Sequence, residues 1–276
     1  MKQIQFSKMV AAGNDFVVLD SRSVAGIKNL AALSQRLCNR KYGIGADGAL
    51  ILQRANSGMR IFNADGSEAE MCGNGARCAA WFAYNRWNTR AQSSLKTLAG
   101  MISTHILTEE RPQAAGAVKI KLTAPKDIKL HIPVKAPART CKVNFINTGV
   151  PHTIIFVDDL PHINVKELGR YFRHHRRFAP RGTNVDFVQI TGADSISVRT
   201  YERGVEDETL ACGTGVSASA IITALELGNS SVKNTMRVLT KSGEILKVHF
   251  TRIRDIIADV WLEGDARFVF DGFVTP

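Results

Sequence analysis

Residues 60–75 run Arg60-Ile61-Phe62-Asn63-Ala64-Asp65-Gly66-Ser67-Glu68, then Met71-Cys72-Gly73-Asn74-Gly75. The pattern returns at 199–215 as Arg199-Thr200-Tyr201-Glu202-Arg203-Gly204, then Glu208 and Ala211-Cys212-Gly213-Thr214-Gly215. Cys72 and Cys212 stand 140 positions apart, and Phe62 and Tyr201 stand 139 apart. Upstream, Gly13-Asn14-Asp15-Phe16 matches Gly149-Val150-Pro151-His152 at an offset of 136. Asp47, ahead of the apolar run 49–52, matches Asp186, ahead of 187–190, at 139, and Gly100 matches Gly243 at 143. Five landmarks in one order at nearly one offset imply two similar halves from an internal duplication. A solenoid needs three or more short repeats, so that architecture does not apply.

Each half has the same run of elements. Short segments rich in β-branched and aromatic residues, at 4–10, 16–20, 49–53 and 59–63, are expected strands. Residues 30–39 have helical spacing, and the Ala-rich, aromatic segment 75–87 reads as a buried helix. The second half answers with strands at 143–146, 153–157, 186–190 and 195–201 and helices at 165–175 and 216–227. A Ser-Gly pair at 242–243 inside 241–250 signals a hairpin. The fold class is therefore α+β: two pseudo-symmetric halves, each a curved mixed sheet around a central helix, with a cleft between them. The expected halves are 1–125 and 126–263, joined by a linker at 125–137 that holds Pro125, Pro133 and Pro137 among lysines. The last strand, 267–273, is free to complete the first half.

The 276 residues are 45% hydrophobic and 22% charged, ordinary for a globular chain and unlike a disordered, collagenous or disulfide-stapled one. No apolar run reaches the ~18 residues of a membrane helix, and residues 1–20 lack a signal-peptide core, which predicts a cytoplasmic protein with no membrane partner. Lys and Arg number 36 against 25 Asp and Glu, a net charge of +11. Such a balance suits nucleic acid, an anionic substrate or simply a solvated surface. The basic residues are scattered, with the densest run at 173–177, and no nucleic-acid-binding motif accompanies them. Five cysteines without a CxxC, and seven histidines without HExxH, give no expected metal site and no disulfide framework.

Cys38, Cys78 and Cys141 fit small hydrophobic fillers. Cys72 and Cys212 differ: each precedes Gly-x-Gly and then a helix. Glycines there let the backbone approach a ligand, and a helix N-terminus offers unpaired N–H groups and about half a positive charge. That end cradles a carboxylate, and the same field can draw a cysteine pKa from about 8.5 toward 7 or below. A lone Cys-Gly-x-Gly is often no more than a tight turn. Two copies in a duplicated chain suggest two thiols flanking one bound anion. One thiolate removes a proton from one face of a carbon and the other thiol returns a proton to the opposite face, inverting the centre with no cofactor.

The chain resembles the diaminopimelate epimerase family. The resemblance rests on Phe6-Ser7-Lys8-Met9, Gly13-Asn14-Asp15-Phe16, residues 43–48, Phe62-Asn63-Ala64-Asp65-Gly66-Ser67, Met71-Cys72-Gly73-Asn74-Gly75, Asn147-Thr148-Gly149, Pro151-His152, Asn184, Tyr201-Glu202-Arg203-Gly204 and residues 208–215. It implies a cofactor-independent isomerase that interconverts L,L- and meso-2,6-diaminopimelate for lysine and peptidoglycan precursors. It further implies a catalytic pair at Cys72 and Cys212, thiol tuning by His152 and Glu202, an α-carboxylate cradle at Gly73, Asn74, Gly213 and Thr214, and substrate contacts at Asn14, Asn63, Asn184, Glu202 and Arg203. From residue chemistry alone, Arg203 is a carboxylate fork or a surface ion pair, Asn63 and Asn184 are ligands or turn residues, and His152 is more often structural.

Two departures bear on specificity. Val150 replaces the amide that the family usually presents to the distal end of the substrate, and the segment 204–209 is one residue longer than usual. A broader amino-acid racemase, also acting on glutamate, is therefore the alternative within enzymes, and a basic nucleic-acid-binding protein the alternative outside them. The expected partner is a small amino-acid substrate, with a homodimer admitted and nucleic acid not.

Overall fold

The computed structural model describes residues 3–107, 114–135, 140–228, 231–254 and 256–275. The chain divides into two compact units, Met1–Ile120 with Gly264–Pro276, and Lys121–Glu263. In chain order, unit 1 contains β1 (Ile4–Ala11), β2 (Asn14–Asp20), α1 (Leu30–Cys38), β3 (Gly48–Gln53), β4 (Gly58–Asn63), β5 (Glu68–Ala69), α2 (Gly73–Trp87), β6 (Gln92–Thr97), β7 (Gly100–Ile106) and β8 (Ala115–Lys121). Unit 2 contains β9 (Lys126–Lys135), β10 (Thr140–Asn147), β11 (Pro151–Phe156), α3 (Val165–Arg173), β12 (Asn184–Gly192), β13 (Ser195–Glu202), β14 (Asp207–Thr209), α4 (Gly213–Glu226), β15 (Lys233–Leu239) and β16 (Ile245–Ile253). The long β17 (Ile256–Val274) gives its first part to unit 2 and its last part to unit 1.

In unit 1 the C-terminal part of β17 pairs antiparallel with β1, β1 with β2, β3 with β4, β6 with β7 and β7 with β8. The pairs β2–β3 and β4–β6 are parallel. Since β8 also pairs with β17, eight strands close into a barrel with no free edge. Unit 2 repeats the sequence of senses strand for strand, in the order β9, β10, β11, β12, β13, β15, β16, β17. The duplicated mixed sheet expected from the motif spacing is thus present.

The central helices explain the unusual segments 73–87 and 213–226. Residues 74–84 of α2 and 215–224 of α4 are buried all round, as a helix enclosed by strands must be. In α4 this burial reaches Ser217 and Thr223, whose hydroxyls donate to the Gly213 and Ser219 carbonyls at 3.0 and 2.8 Å, so no polar atom of theirs is left unsatisfied. By contrast α1 and α3 bury one face each: Leu33, Leu37 and Cys38 pack on Val17, Ile51 and Phe62, while Val165 and Phe172 pack on Val185, Phe187 and Tyr201.

Residues 126–135 are not a linker. They form β9, paired with β10, with Ile132 and Val134 in the core. The alternation of Ile132 and Val134 with Pro133 and Lys135 is a strand pattern, and Pro133, which has no N–H to give, is accommodated opposite Lys142 beside an irregular register. Pro137 lies outside the described residues. The unit boundary falls at 120/121 rather than 125/126, because the Leu122 N–H bonds to Val260 inside unit 2. Among the described residues no helix is long and apolar enough to cross a membrane.

Candidate active site

Each special cysteine is the N-cap of its central helix. Cys72 caps α2 with φ −141° and ψ 121°, and its sulfur accepts from the Gly75 N–H at 3.5 Å. Cys212 caps α4 with φ −113° and ψ 111°, and its Sγ lies 3.3 Å from Thr214 Oγ1. Both caps are extended backbone arriving from the hairpins β4–β5 and β13–β14. An ion pair fixes each hairpin: Arg60 grips Glu68 at 2.7 and 2.8 Å, and Arg199 grips Glu208 at 2.7 and 3.0 Å. Glu68 and Glu208 each stand four residues before their cysteine. The extra residue of 204–209 is therefore absorbed in the turn, where Glu206 adopts a left-handed φ of 58°, and does not disturb the approach to Cys212.

The surroundings of the two thiols differ. Cys72 is half-buried. Cys212 is buried, and burial pushes its thiol well above the ordinary cysteine range, with the Glu202 and Asp186 carboxylates pushing the same way. The helix end alone would lower it, so here desolvation and like charge outweigh the helix field. Burial likewise raises the Glu202 carboxyl. Of the cysteines expected to be fillers, Cys38 and Cys78 are buried and Cys141 is half-buried. Burial lifts Cys38 to about 11, which keeps it inert at neutral pH.

Unit 2 gathers most of the remaining candidates around the α4 N-terminus. His152 is wholly buried, its Nδ1 lying 2.6 Å from Asp186 Oδ2 and its Nε2 lying 3.0 Å from Thr214 Oγ1. Asn184 Nδ2 lies 3.3 Å from the same Nε2, while Asn184 Oδ1 accepts the Arg203 N–H at 2.7 Å. The Arg203 side chain lines a cavity of about 540 Å³ with Lys129, Phe145, Arg177, Phe178 and Arg181. Asp127 also lines this cavity, but among the described residues no carboxylate is paired with Arg203, and the excess of cations suits an anionic group from outside.

Unit 1 holds Asn14, Asn63, Gly73 and Asn74. Asn74 is buried at the α2 N-terminus, and its Oδ1 accepts from Arg77 Nη2 at 2.8 Å. Asn63 is exposed and donates to Ser67 Oγ at 2.9 Å, and Asn14 donates to Asp47 Oδ2 at 3.3 Å. The Asn14 turn is anchored by Lys8, itself buried, which meets Asp15 at 2.6 Å, and by Arg40, which bridges Asp15 and Asp47 at 2.8 and 2.7 Å.

Two residues escaped the sequence reading. Arg77 is fully buried in α2, where a single charge inside Ala76-Arg77-Cys78-Ala79 was the available signal. In the sequence Asp186 stands out only as a repeat landmark matching Asp47, and the register corrects that match. Phe16 pairs with Gly48 as His152 pairs with Asn184, so Leu50, not Asp47, stands in the place of Asp186. A fixed offset of 139 fails here because β2–β3 and β11–β12 keep the offset of 136 set by Phe16 and His152.

A profile described as diaminopimelate epimerase matches residues 6–125 and 144–256. A diaminopimelate epimerase of Hydrogenobaculum sp. (strain Y04AAS1) is 41% identical over 283 residues, covering 98% of both chains. That of Aquifex aeolicus is 40% identical over 288 residues, covering 98% of this chain and 97% of its own. Among solved structures, a phenazine biosynthesis protein of the PhzF family from Bacillus anthracis matches with a TM-score of 0.76 at 16% identity over the whole of both chains. A probable proline racemase from Agrobacterium radiobacter K84, with bound carbonate, matches at 0.70 and 14%, covering 99% of this chain and 93% of its own. At such identities the structural matches speak for the fold alone.

Proposed function

Because the chain belongs to the diaminopimelate epimerase family, we propose that it interconverts L,L- and meso-2,6-diaminopimelate in the cytoplasm by passing protons between Cys72 and Cys212, without a cofactor. One observation carries the reading: a cysteine N-caps the central helix of both units, each followed by a Gly-x-Gly first turn. The N–H groups of each first turn, at Gly73 and Asn74 and at Gly213 and Thr214, suit the α-carboxylate and the charge that grows on it as the α-proton leaves. Arg203, beside its cationic cavity, suits the distal carboxylate. Cys212, whose thiol form burial and its acidic neighbours favour, suits the proton donor in the direction in which Cys72 abstracts the α-proton, and the two roles exchange in the reverse direction. Glu202 and His152 tune the thiols, and Asn14, Asn63 and Asn184 orient the substrate.

The test is inversion of diaminopimelate in heavy water with serine variants. Cys72→Ser and Cys212→Ser each nearly abolish inversion, because a hydroxyl is a far weaker base than a thiol at neutral pH. Cys38→Ser, Cys78→Ser and Cys141→Ser retain it, with thermal midpoints reporting any packing cost at the fully buried Cys78. Near-normal inversion by Cys212→Ser overturns the two-thiol mechanism. Both thiols must also reach one carbon, so mild oxidation of the parent yields a Cys72–Cys212 disulfide and an inactivation that dithiothreitol reverses. Peptide mapping that finds only other pairings counts against it.

A further inference from the structure

The duplication supplies an internal control for the buried polar cluster beside Cys212. Phe16, Leu50 and Ile61 of unit 1 occupy the places of His152, Asp186 and Thr200 of unit 2: Leu50 pairs with Ile61 across β3–β4 as Asp186 pairs with Thr200 across β12–β13. All six are buried. The first two members of each trio lie beneath the third residue of the central helix. A Cβ on Gly75 would meet Leu50 Cδ2 at 3.1 Å and Phe16 Cζ at 3.6 Å, whereas a Cβ on Gly215 would meet Asp186 Oδ1 at 2.4 Å and His152 Cε1 at 3.2 Å. The same architecture therefore stands on apolar packing in one unit. The polar trio in the other is not demanded by the fold, and burying it carries a desolvation cost that apolar residues avoid.

The hydrogen bonds fix what the trio does. The Arg203 N–H donates to Asn184 Oδ1, so Asn184 turns its amide nitrogen, a donor, toward His152 Nε2. Nε2 must then be an acceptor, and the imidazole hydrogen sits on Nδ1, donated to Asp186 Oδ2. The Thr200 hydroxyl donates to the other oxygen, Asp186 Oδ1, at 2.8 Å. With Nε2 accepting, the Thr214 hydroxyl donates to it, and its oxygen is left to accept the Cys212 S–H. The chain of donors runs from Cys212 through Thr214 and His152 to Asp186.

We propose that Asp186 is a positioning residue for Cys212: it fixes His152 with its hydrogen on Nδ1, which turns the Thr214 hydroxyl to accept the Cys212 thiol hydrogen and so favours the thiol form of Cys212. The proposal rests on the role given to Cys212 above and adds a residue that touches neither substrate nor thiol. The titratable groups facing Cys212 are Glu202 of β13, Asp186 of β12 and, through Thr214, His152 of β11.

Two variants test it. Asp186→Asn removes the carboxylate and lets the ring adopt the other tautomer. The triple variant His152→Phe, Asp186→Leu, Thr200→Ile copies the trio of unit 1 and guards against loss of folding. The first readout is the pH dependence of Cys212 alkylation by iodoacetamide, followed by peptide mass spectrometry, which needs no turnover. In Asp186→Asn the Cys212 limb moves to lower pH by about one unit, a rate gain of about tenfold at a fixed pH below the limb. The second readout is the pH profile of inversion: kcat falls and its limb moves, while KM for diaminopimelate stays within about twofold. A folded Asp186→Asn enzyme with the parental alkylation limb and kcat profile overturns the proposal. If neither variant folds, the trio is structural, and the proposal is equally overturned. Should Cys212→Ser keep inversion, the two-thiol reading fails, while the alkylation shift still answers for Asp186.

Discussion

Val150 stands where the resemblance to the family places an amide against the distal end of the substrate. It is half-buried in the turn before β11, its carbonyl accepts the Thr148 N–H at 3.2 Å, and its side chain has no group to hydrogen-bond a ligand. A neutral hydrogen bond contributes about 0.5–1.5 kcal/mol and one to a charged group about 1.5–3. Losing one relaxes discrimination by about tenfold to a hundredfold without removing activity. Val150→Asn should therefore raise kcat/KM for diaminopimelate relative to glutamate. Arg203→Ala should damage turnover of both, since each carries a distal carboxylate. An unchanged ratio in Val150→Asn, measured with both substrates, would refute relaxed specificity. The absorbed insertion at 204–209 adds no side chain to this comparison, because Glu208 keeps its place opposite Tyr201.

Among the elements, the pair β1–β2 carries an acid-sensitive anchor. Burial alone would raise the Asp15 carboxyl, but the Arg40 and Lys8 bonds and the Lys8 charge overcome it and hold Asp15 well below the usual carboxylate range. At a pH just below the ordinary carboxylate value of about 4, the unfolded chain binds this proton and the folded chain does not. The anchor's stabilisation is thus fully present above that value and is lost as pH falls toward the depressed folded one. Asp15→Asn should lower the urea midpoint at pH 6 yet lose less of it between pH 4 and pH 2 than the parent. Parallel losses in the two proteins over that window would show that Asp15 does not control the acid limb. Burial and the nearby Asp15 charge raise Asp47 instead, so only one of the two carboxylates under Arg40 works in this direction.

On the scale of the whole molecule, the last thirteen residues close the first barrel. Residues 267–274 pair with β1, Phe270 packs edge-on against Phe6 at 5.9 Å, and Arg86 of α2 both pairs with Asp271 and covers the Phe268 ring at 4.8 Å. Removal of 264–276 leaves β1 and β8 without their shared neighbour and exposes two sheet edges. Expected outcomes are binding of the dye ANS, loss of the cooperative thermal transition of unit 1 and loss of inversion. A truncated chain that melts and turns over like the parent would show that the strand is dispensable.

Sequence alone determined the duplication, the α+β class and the two cysteines at helix starts, because each depends on local signals: strand and helix periodicity, glycines after a cap, and a repeat of residue types at one spacing. It also made Arg203, Asn184 and His152 candidates through resemblance, but not their connections. Only the tertiary structure decided that 126–135 is a strand, since Pro133 masks an alternation that becomes decisive once β10 lies beside it. The tertiary structure likewise revealed the partners of Asp186. A buried carboxylate between Val185 and Phe187 looks like the solvent-facing residue of an alternating strand in a linear chain. Its meaning comes from the β11–β12 register, which brings it to the His152 ring, and from the glycine of α4 that leaves room for both. The environment of Cys212 was decided in the same way: the helix end was legible as a field that lowers a thiol pKa, while the burial and the two carboxylates that outweigh it come from β12 and β13, elements whose proximity only folding creates.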